Sequence, residues 1–321
     1  MGIPAKETNF NDSNETNPLL REALRNFKRQ MDRLTPDKPQ VVTLASCAIM
    51  SCGHLLLEDV PGIGKTTFIK AIAKLLGLSM KRVQFTSDVL PADIIGHEVY
   101  DPAAQKFSFQ RGPVFSQILL ADELNRASPR TQSALLEAMG EGSVTVNGHP
   151  EVLPRPFIVF ATQNPNESIG TYPLPESQLD RFSARIKLDY PGREREEAIF
   201  RKATLDPLAN VPAGVLSADQ LASLQADIDR ILVADRIVSF VKRIVDATRQ
   251  HEAIKVGVST RGGVSWLRMA KARALLEERN YVIPDDLIYL APATLGHRIS
   301  TSGNGDGGQV ILQIIAQTQI E

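Results

Sequence analysis

Apolar residues recur at Leu19, Leu20, Leu24, Phe27, Met31 and Leu34, the three- and four-residue spacing of one helical face. A turn at Pro36-Asp37-Lys38-Pro39 separates this helix from a second helical run over residues 41–51. The period then changes. Residues 54–58 form a short apolar run, followed by a Gly-rich turn and a helical pattern over 65–76, which is how an α/β unit begins. Further short apolar runs at 83–85, 117–121 and 157–162 alternate with helix-like segments such as 129–139, predicting parallel strands covered on both faces. Two hairpins interrupt the alternation. One is centred on Asn147-Gly148 between 143–146 and 149–153, a strong signal for a type I′ turn; the other spans 98–110, with Asp101-Pro102 starting its turn.

Beyond Pro191-Gly192 the pattern is helical over 194–203, 218–228, 235–251, 261–278 and 285–299. Pro284 followed by Asp285 and Asp286 opens the last of these, with acidic groups at the positive end of the helix dipole. The expected organisation is a flexible polar tail over 1–17, an α/β domain with two hairpin insertions over 18–190, and a smaller all-helical domain over 191–300. A closing segment over 301–321 begins as a Gly-rich mobile loop at 302–308, and its apolar end, 310–319, is open between helix and strand. No internal repeat is visible.

Composition narrows the class without naming an activity. The 321 residues are 43% hydrophobic and 23% charged, which excludes disordered, collagen-like and membrane classes. Lys and Arg number 36 against 37 Asp and Glu, so the net charge of -1 argues against one dominant electrostatic partner such as duplex nucleic acid. Cys47 and Cys52 read as small hydrophobes, and the five histidines form no close pair, so no structural metal is expected. The polar N-terminus lacks the pattern of a signal peptide, and no apolar stretch is long enough to span a membrane. The expected compartment is the cytoplasm.

Two segments carry chemistry. In Asp59-Val60-Pro61-Gly62-Ile63-Gly64-Lys65-Thr66-Thr67, Gly62 and Gly64 let backbone N–H groups turn toward phosphate oxygens, at the positive end of the following helix. Lys65 would reach the β- and γ-phosphates and the Thr66 hydroxyl would ligate magnesium, although the strict phosphate-loop pattern has Gly where this chain has Asp59. About sixty residues later an apolar strand runs into Asp122-Glu123. Asp122 would support the magnesium shell and Glu123 would activate the attacking water, against the plainer reading of a solvated turn.

With Gln84-Phe85-Thr86-Ser87-Asp88, Leu120-Ala121-Asp122-Glu123-Leu124-Asn125-Arg126, Ala161-Thr162-Gln163-Asn164-Pro165 and Leu179-Asp180-Arg181-Phe182, the chain resembles the MoxR family of AAA+ ATPases over roughly residues 21–299. The family itself commonly shows the variation at Asp59. The resemblance implies a parallel-sheet P-loop AAA+ core with a helical lid, binding ATP and Mg²⁺ and hydrolysing ATP to ADP and phosphate. It matches Asn164 to sensor 1, with a turn-forming Asn as the alternative. Arg181 matches an arginine finger, with a surface salt bridge to Asp180 as the alternative. Arg261 matches sensor 2, with a plain helix-start Arg as the alternative; the Gly262-Gly263 that follows it is a poor helix opening. The hairpins resemble the pre-sensor-1 and helix-2 insertions of the wider clade.

The resemblance further implies a ring, expected to be hexameric, that remodels, matures or inserts metal into a protein client, with a von Willebrand factor A domain protein as partner. A nucleic-acid motor on the same core is the second reading. It is disfavoured because the 143–153 hairpin offers only His149 as a possible cation, while the other hairpin has Lys106, Phe107, Phe109 and Arg111. A nucleotide-gated scaffold that hydrolyses little is the third.

Overall fold

The computed structural model describes residues 17–59, 64–103, 105–164, 170–190, 192–201, 206–302 and 305–318. The tail expected over 1–17 lies outside them except for Asn17, whose side chain accepts from Leu19 N at 3.0 Å and caps the first helix. In chain order, α1 (Pro18–Leu34) and α2 (Pro39–Met50) precede β1 (Leu55–Asp59), α3 (Lys65–Leu76) and β2 (Met80–Gln84). Next come α4 (Pro91–Ile95) and the hairpin β3 (Gly96–Asp101) and β4 (Lys106–Arg111). Then β5 (Ile118–Asp122), α5 (Pro129–Glu141), the hairpin β6 (Ser143–Val146) and β7 (His149–Val152), β8 (Ile158–Gln163), α6 (Glu176–Leu179) and β9 (Ala184–Leu188) complete the α/β part.

β2, β5, β8, β1 and β9 pair in that order as one parallel sheet. Side chains alternate across it. Leu55 and Leu57, Ile118 and Leu120, and Ile158 and Phe160 enter one apolar cluster with α1, α2 and α3, whereas Leu56, Leu119, Leu135, Val159 and Phe182 enter the other. Because every strand runs the same way, their C-terminal ends share one edge. The register sets Gln84 beside Asp122 and Glu58 beside Gln163 there, where open α/β sheets bind ligands. Asn147 and Gly148 have φ of +49° and +81°, as the type I′ reading requires.

The remaining elements are α7 (Arg193–Arg201), α8 (Ala218–Asp227), α9 (Asp235–Gln250), β10 (Ile254–Val256), α10 (Thr260–Leu276), α11 (Pro284–Leu295), β11 (Ser300–Thr301) and α12 (Gly307–Gln317). This part is not all-helical: β10 and β11 pair antiparallel, Ile254 opposite Thr301. Nor is 302–308 wholly a loop, because Asp306 caps α12 through Gly308 N at 2.9 Å and Gly307 and Gly308 are buried against the turn at Gly296. The apolar end is therefore a helix, which buries Ile311, Ile314 and Ile315. The same apolar cluster that fills one face of the sheet continues through Trp266, Met269 and Leu290, so the helical part is knit to the core. Arg268 Nε donates to Ser51 O at 2.9 Å and Gln225 Nε2 to Ile49 O at 2.8 Å across the junction.

His54, at the foot of β1, makes a titratable core contact. Its Nδ1 accepts from Val159 N at 3.0 Å, which leaves Nε2 to donate to Met139 O at 3.2 Å. Burial pushes it down to about 4, so the folded imidazole stays neutral where an unfolded one takes up a proton. Stability is therefore complete above pH ~6.5 and falls as pH drops toward 4, by up to on the order of 3 kcal/mol from this residue. His297, buried and held well below its usual value by burial and by Arg298, adds in the same direction. Urea denaturation at about pH 7 and about pH 4.5 is expected to show this loss, and His54→Gln to have a shallower dependence.

Candidate active site

Gly64, Lys65 and Thr66 at the start of α3, Asp122 and Glu123 at the end of β5, and Asn164 just after β8 line one cleft of ≈ 250 Å³. Three segments predicted from separate stretches of sequence therefore converge. Thr67 follows within α3, half-buried, and Asp59 ends β1; Val60, Pro61, Gly62 and Ile63 lie outside the described residues.

Asp122 is not a solvated turn residue: it is buried, and Thr162 Oγ1 donates to its Oδ1 at 2.7 Å. The same hydroxyl accepts from Glu123 N at 2.8 Å, so Thr162 sets the angle between the two acidic residues. Glu123 sits at φ +56°, a left-handed conformation that costs a non-glycine residue about 1–3 kcal/mol and is held here by its neighbours. Its Oε2 accepts from Arg126 Nη1 at 2.9 Å. Behind them, buried Glu58 accepts from Gln163 Nε2 at 2.5 Å and faces Arg185 Nη1 at 3.5 Å.

The oxygens fit magnesium. A hydroxyl from Thr66 and one buried carboxylate form a hard, sparse donor set, the kind that binds Mg²⁺ together with water and phosphate rather than in an all-protein cage. Sequence reading missed the cation already on this carboxylate: Arg82 on β2 donates to Asp122 Oδ2 from Nη2 at 2.7 Å and from Nε at 3.2 Å. Its only signal was a charged residue within a strand, because its partner depends on β2 lying beside β5. The Arg82 side chain is 49% exposed, so the pair is weak, and a metal ion held by Asp122 would displace it at a cost of about 1 kcal/mol. Arg82→Gln is accordingly expected to lower the Mg²⁺ concentration needed for half-maximal binding of a non-hydrolysable ATP analogue by up to about fivefold. Magnesium titration of analogue binding measures this directly.

Arg181 and Arg261 lie elsewhere. Together with Arg298, Asp180 and Glu141 they line a second cleft of ≈ 200 Å³ that shares no residue with the first. Arg181 Nη1 donates to Leu136 O at 2.6 Å and passes so close to Gly140 that a Cβ there would sit 2.1 Å from it. Asp180 does not pair with Arg181; its ion-pair partner is Arg298, at 2.9 Å. Arg261 stands in the first turn of α10, which Ser259 caps by accepting from Gly262 N at 2.9 Å. The glycine opening of that helix has a packing reason, since a Cβ on Gly262 would come within 2.9 Å of Arg298 Cδ.

Residues 54–184 match the family model for the ATPase family associated with various cellular activities (AAA), and residues 246–315 match that for the AAA lid domain. A parallel sheet with this cleft at its C-terminal edge and a helical lid knit to it is the P-loop AAA+ fold. The uncharacterized protein YeaC of Bacillus subtilis is 44% identical over 286 residues, 89% of this chain and 88% of that protein. Chaperone MoxR1 of Mycobacterium tuberculosis is 39% identical over 280 residues, 84% of this chain and 74% of that protein. A crystal structure from Cytophaga hutchinsonii, assigned provisionally to the ATPases, superposes with a TM-score of 0.85 at 33% identity, covering 94% of this chain and 96% of that one. The chain belongs to the MoxR family of AAA+ ATPases.

Proposed function

We propose that the chain hydrolyses ATP in a ring of identical subunits and uses the cycle to remodel a protein client. The observation that carries this reading is the division of labour between two clefts. One holds phosphate- and metal-binding groups, and the other, elsewhere on the same chain, presents Arg181 and Arg261 with no phosphate-binding loop beside them. Head-to-tail packing lets the arginines of one subunit complete the nucleotide cleft of the next, and such packing closes into rings.

Within one cleft Lys65 and the start of α3 hold the β- and γ-phosphates, and Thr66 and Asp122 hold Mg²⁺, which when bound neutralises charge between those phosphates. Glu123 accepts a proton from the attacking water and aims its oxygen at the γ-phosphorus, while Asn164 contacts that phosphate or water. Arg181 and Arg261 from the neighbour stabilise charge on the transferring group.

The relative named Chaperone MoxR1 supports a protein client, and the exposed ring pair Tyr100 and Phe107 on the β3–β4 hairpin, 5.2 Å between centroids, offers a surface to grip it. A hexameric assembly, a von Willebrand factor A domain partner, maturation or metal insertion as the outcome, and a cytoplasmic location complete the reading. No helix among the described residues is long and apolar enough to cross a membrane. The aromatic pair beside Lys106 also keeps a nucleic-acid motor as the second reading, since bases stack on such rings. Turnover per subunit measured against protein concentration tests the ring: it is expected to rise with assembly, and equal activity in a dilute monomer would sink the idea. Hydrolysis stimulated by DNA in a salt-dependent way would favour the motor.

A further inference from the structure

The residues on either side of Arg181 are both held by the helical part of the chain. The Asp180 side chain is 16% exposed; its Oδ2 accepts from Ser259 Oγ at 2.9 Å, and its Oδ1 lies 2.9 Å from Arg298 Nε. On the other side, Phe182 O accepts from Arg298 Nη2 at 2.8 Å and lies 3.0 Å from His297 Nε2. Arg298 is itself fixed by its Nη1, which donates to Thr294 O at 2.7 Å, and its side chain is only 2% exposed. Ser259 is the cap of α10, two residues before Arg261. A single carboxylate thus ties the segment bearing Arg181 to the helix bearing Arg261.

We propose that Asp180 is a positioning residue: by joining Ser259 to Arg298 it locks Arg181 and Arg261 into one rigid unit that meets the neighbouring subunit's nucleotide as a pair. The inference rests on the reading that these arginines act on the neighbour. A buried ion pair of this kind is costly to break from one side, because among the described residues Asp180 is the carboxylate within ion-pair distance of Arg298. Burial has already lowered Arg298 to about 10 against the pull of Asp180, and it remains a cation at neutral pH. Removing the charge therefore takes away the Asp180–Arg298 half of the link and loosens the Arg181 segment relative to α10, without touching Lys65, Thr66, Asp122 or Glu123.

The test uses the full-length chain with Asp180→Asn, which keeps the shape and an acceptor for Ser259 but drops the charge. The expected result is a kcat at least about tenfold lower with KM for ATP unchanged, the mark of an interaction made only in the transition state. In a 1:1 mixture with Glu123→Gln chains, activity is expected to recover toward about a quarter of the wild-type rate, the share of interfaces at which an intact cleft meets an intact arginine pair around a randomly mixed ring. A merely misfolded variant would not recover in this way. Ser259→Ala leaves the ion pair in place and carries the same test should Asp180→Asn fail to fold; it is expected to lower kcat severalfold at constant KM. Wild-type kcat in either folded variant, or failure of Asp180→Asn to recover on mixing, overturns the inference. Arg181→Ala mixed with Glu123→Gln separates this from the reading beneath it: recovery there keeps the trans-acting arginine, whereas no recovery removes it.

Discussion

Glu123→Gln is expected to lower ATP turnover by roughly 10²–10⁴-fold while ATP still binds. The carboxylate has the right surroundings for this role. Its backbone N–H is pinned to Thr162, whose hydroxyl also holds Asp122, so the two acidic residues keep a fixed relation and the amide cannot compensate by moving. Gln has nearly the same shape, can still accept from Arg126, and lacks only the basicity to take a proton from water. Phosphate release measures the loss, and equilibrium binding of labelled ATP measures what remains. Wild-type turnover in this variant would support the nucleotide-gated scaffold instead. The same variant held in ATP is the natural trap for a client, and recovery of nucleic acid in place of protein would reverse the order of the two motor readings.

Arg181→Ala should lose on the order of 10³–10⁵ in turnover, the range for an arginine finger, with ATP affinity preserved. The guanidinium is presented and not floppy: Leu136 O accepts one of its N–H groups, and Gly140 leaves room for it. Because no residue of the phosphate cleft lines the arginine cleft, the loss is expected to reside in the neighbour's active site. Assembly should be retained in gel filtration, and in mixtures with wild-type chains activity should fall in proportion to the wild-type share, because every cleft is intact and only the arginine donor varies. Mixing with Glu123→Gln chains is the discriminating case: activity is expected to reappear, and its absence would mean that each subunit uses its own arginine.

Local patterns were legible because they depend on neighbours in the chain. The start and end of α3 follow from glycines flanking an apolar run, and the structure places the helix over Lys65–Leu76, as the pattern predicts. Asn147-Gly148 specifies its own turn. Gly64-Lys65-Thr66 and the Asp122-Glu123 pair stood out for the same reason: each is a short segment with a recognisable spacing, and the structure brings both to one cleft. The Gly-rich stretch misled. Glycine can mean mobility or close contact, and at Gly307 and Gly308 it is the second, where the backbone packs against Gly296. The β10–β11 pair escaped notice because two- and three-residue strands from distant segments leave no period to read.

By itself, then, the sequence determined that strands β1, β5 and β8 and helix α3 lead into the cleft, and which short motifs line it. Only the tertiary structure decided who partners whom. Asp180 has Arg181 next to it in the chain, yet it pairs with Arg298, 118 residues away, because adjacent side chains at a helix end diverge while packing brings α10 and α11 against that turn. Arg82 meets Asp122 for a similar reason: parallel strands are joined by long connections, so the order β2, β5, β8, β1, β9 is a choice made by the packing of the whole sheet. Long-range pairing is set by the sum of many buried contacts, and no single segment of the chain carries that sum.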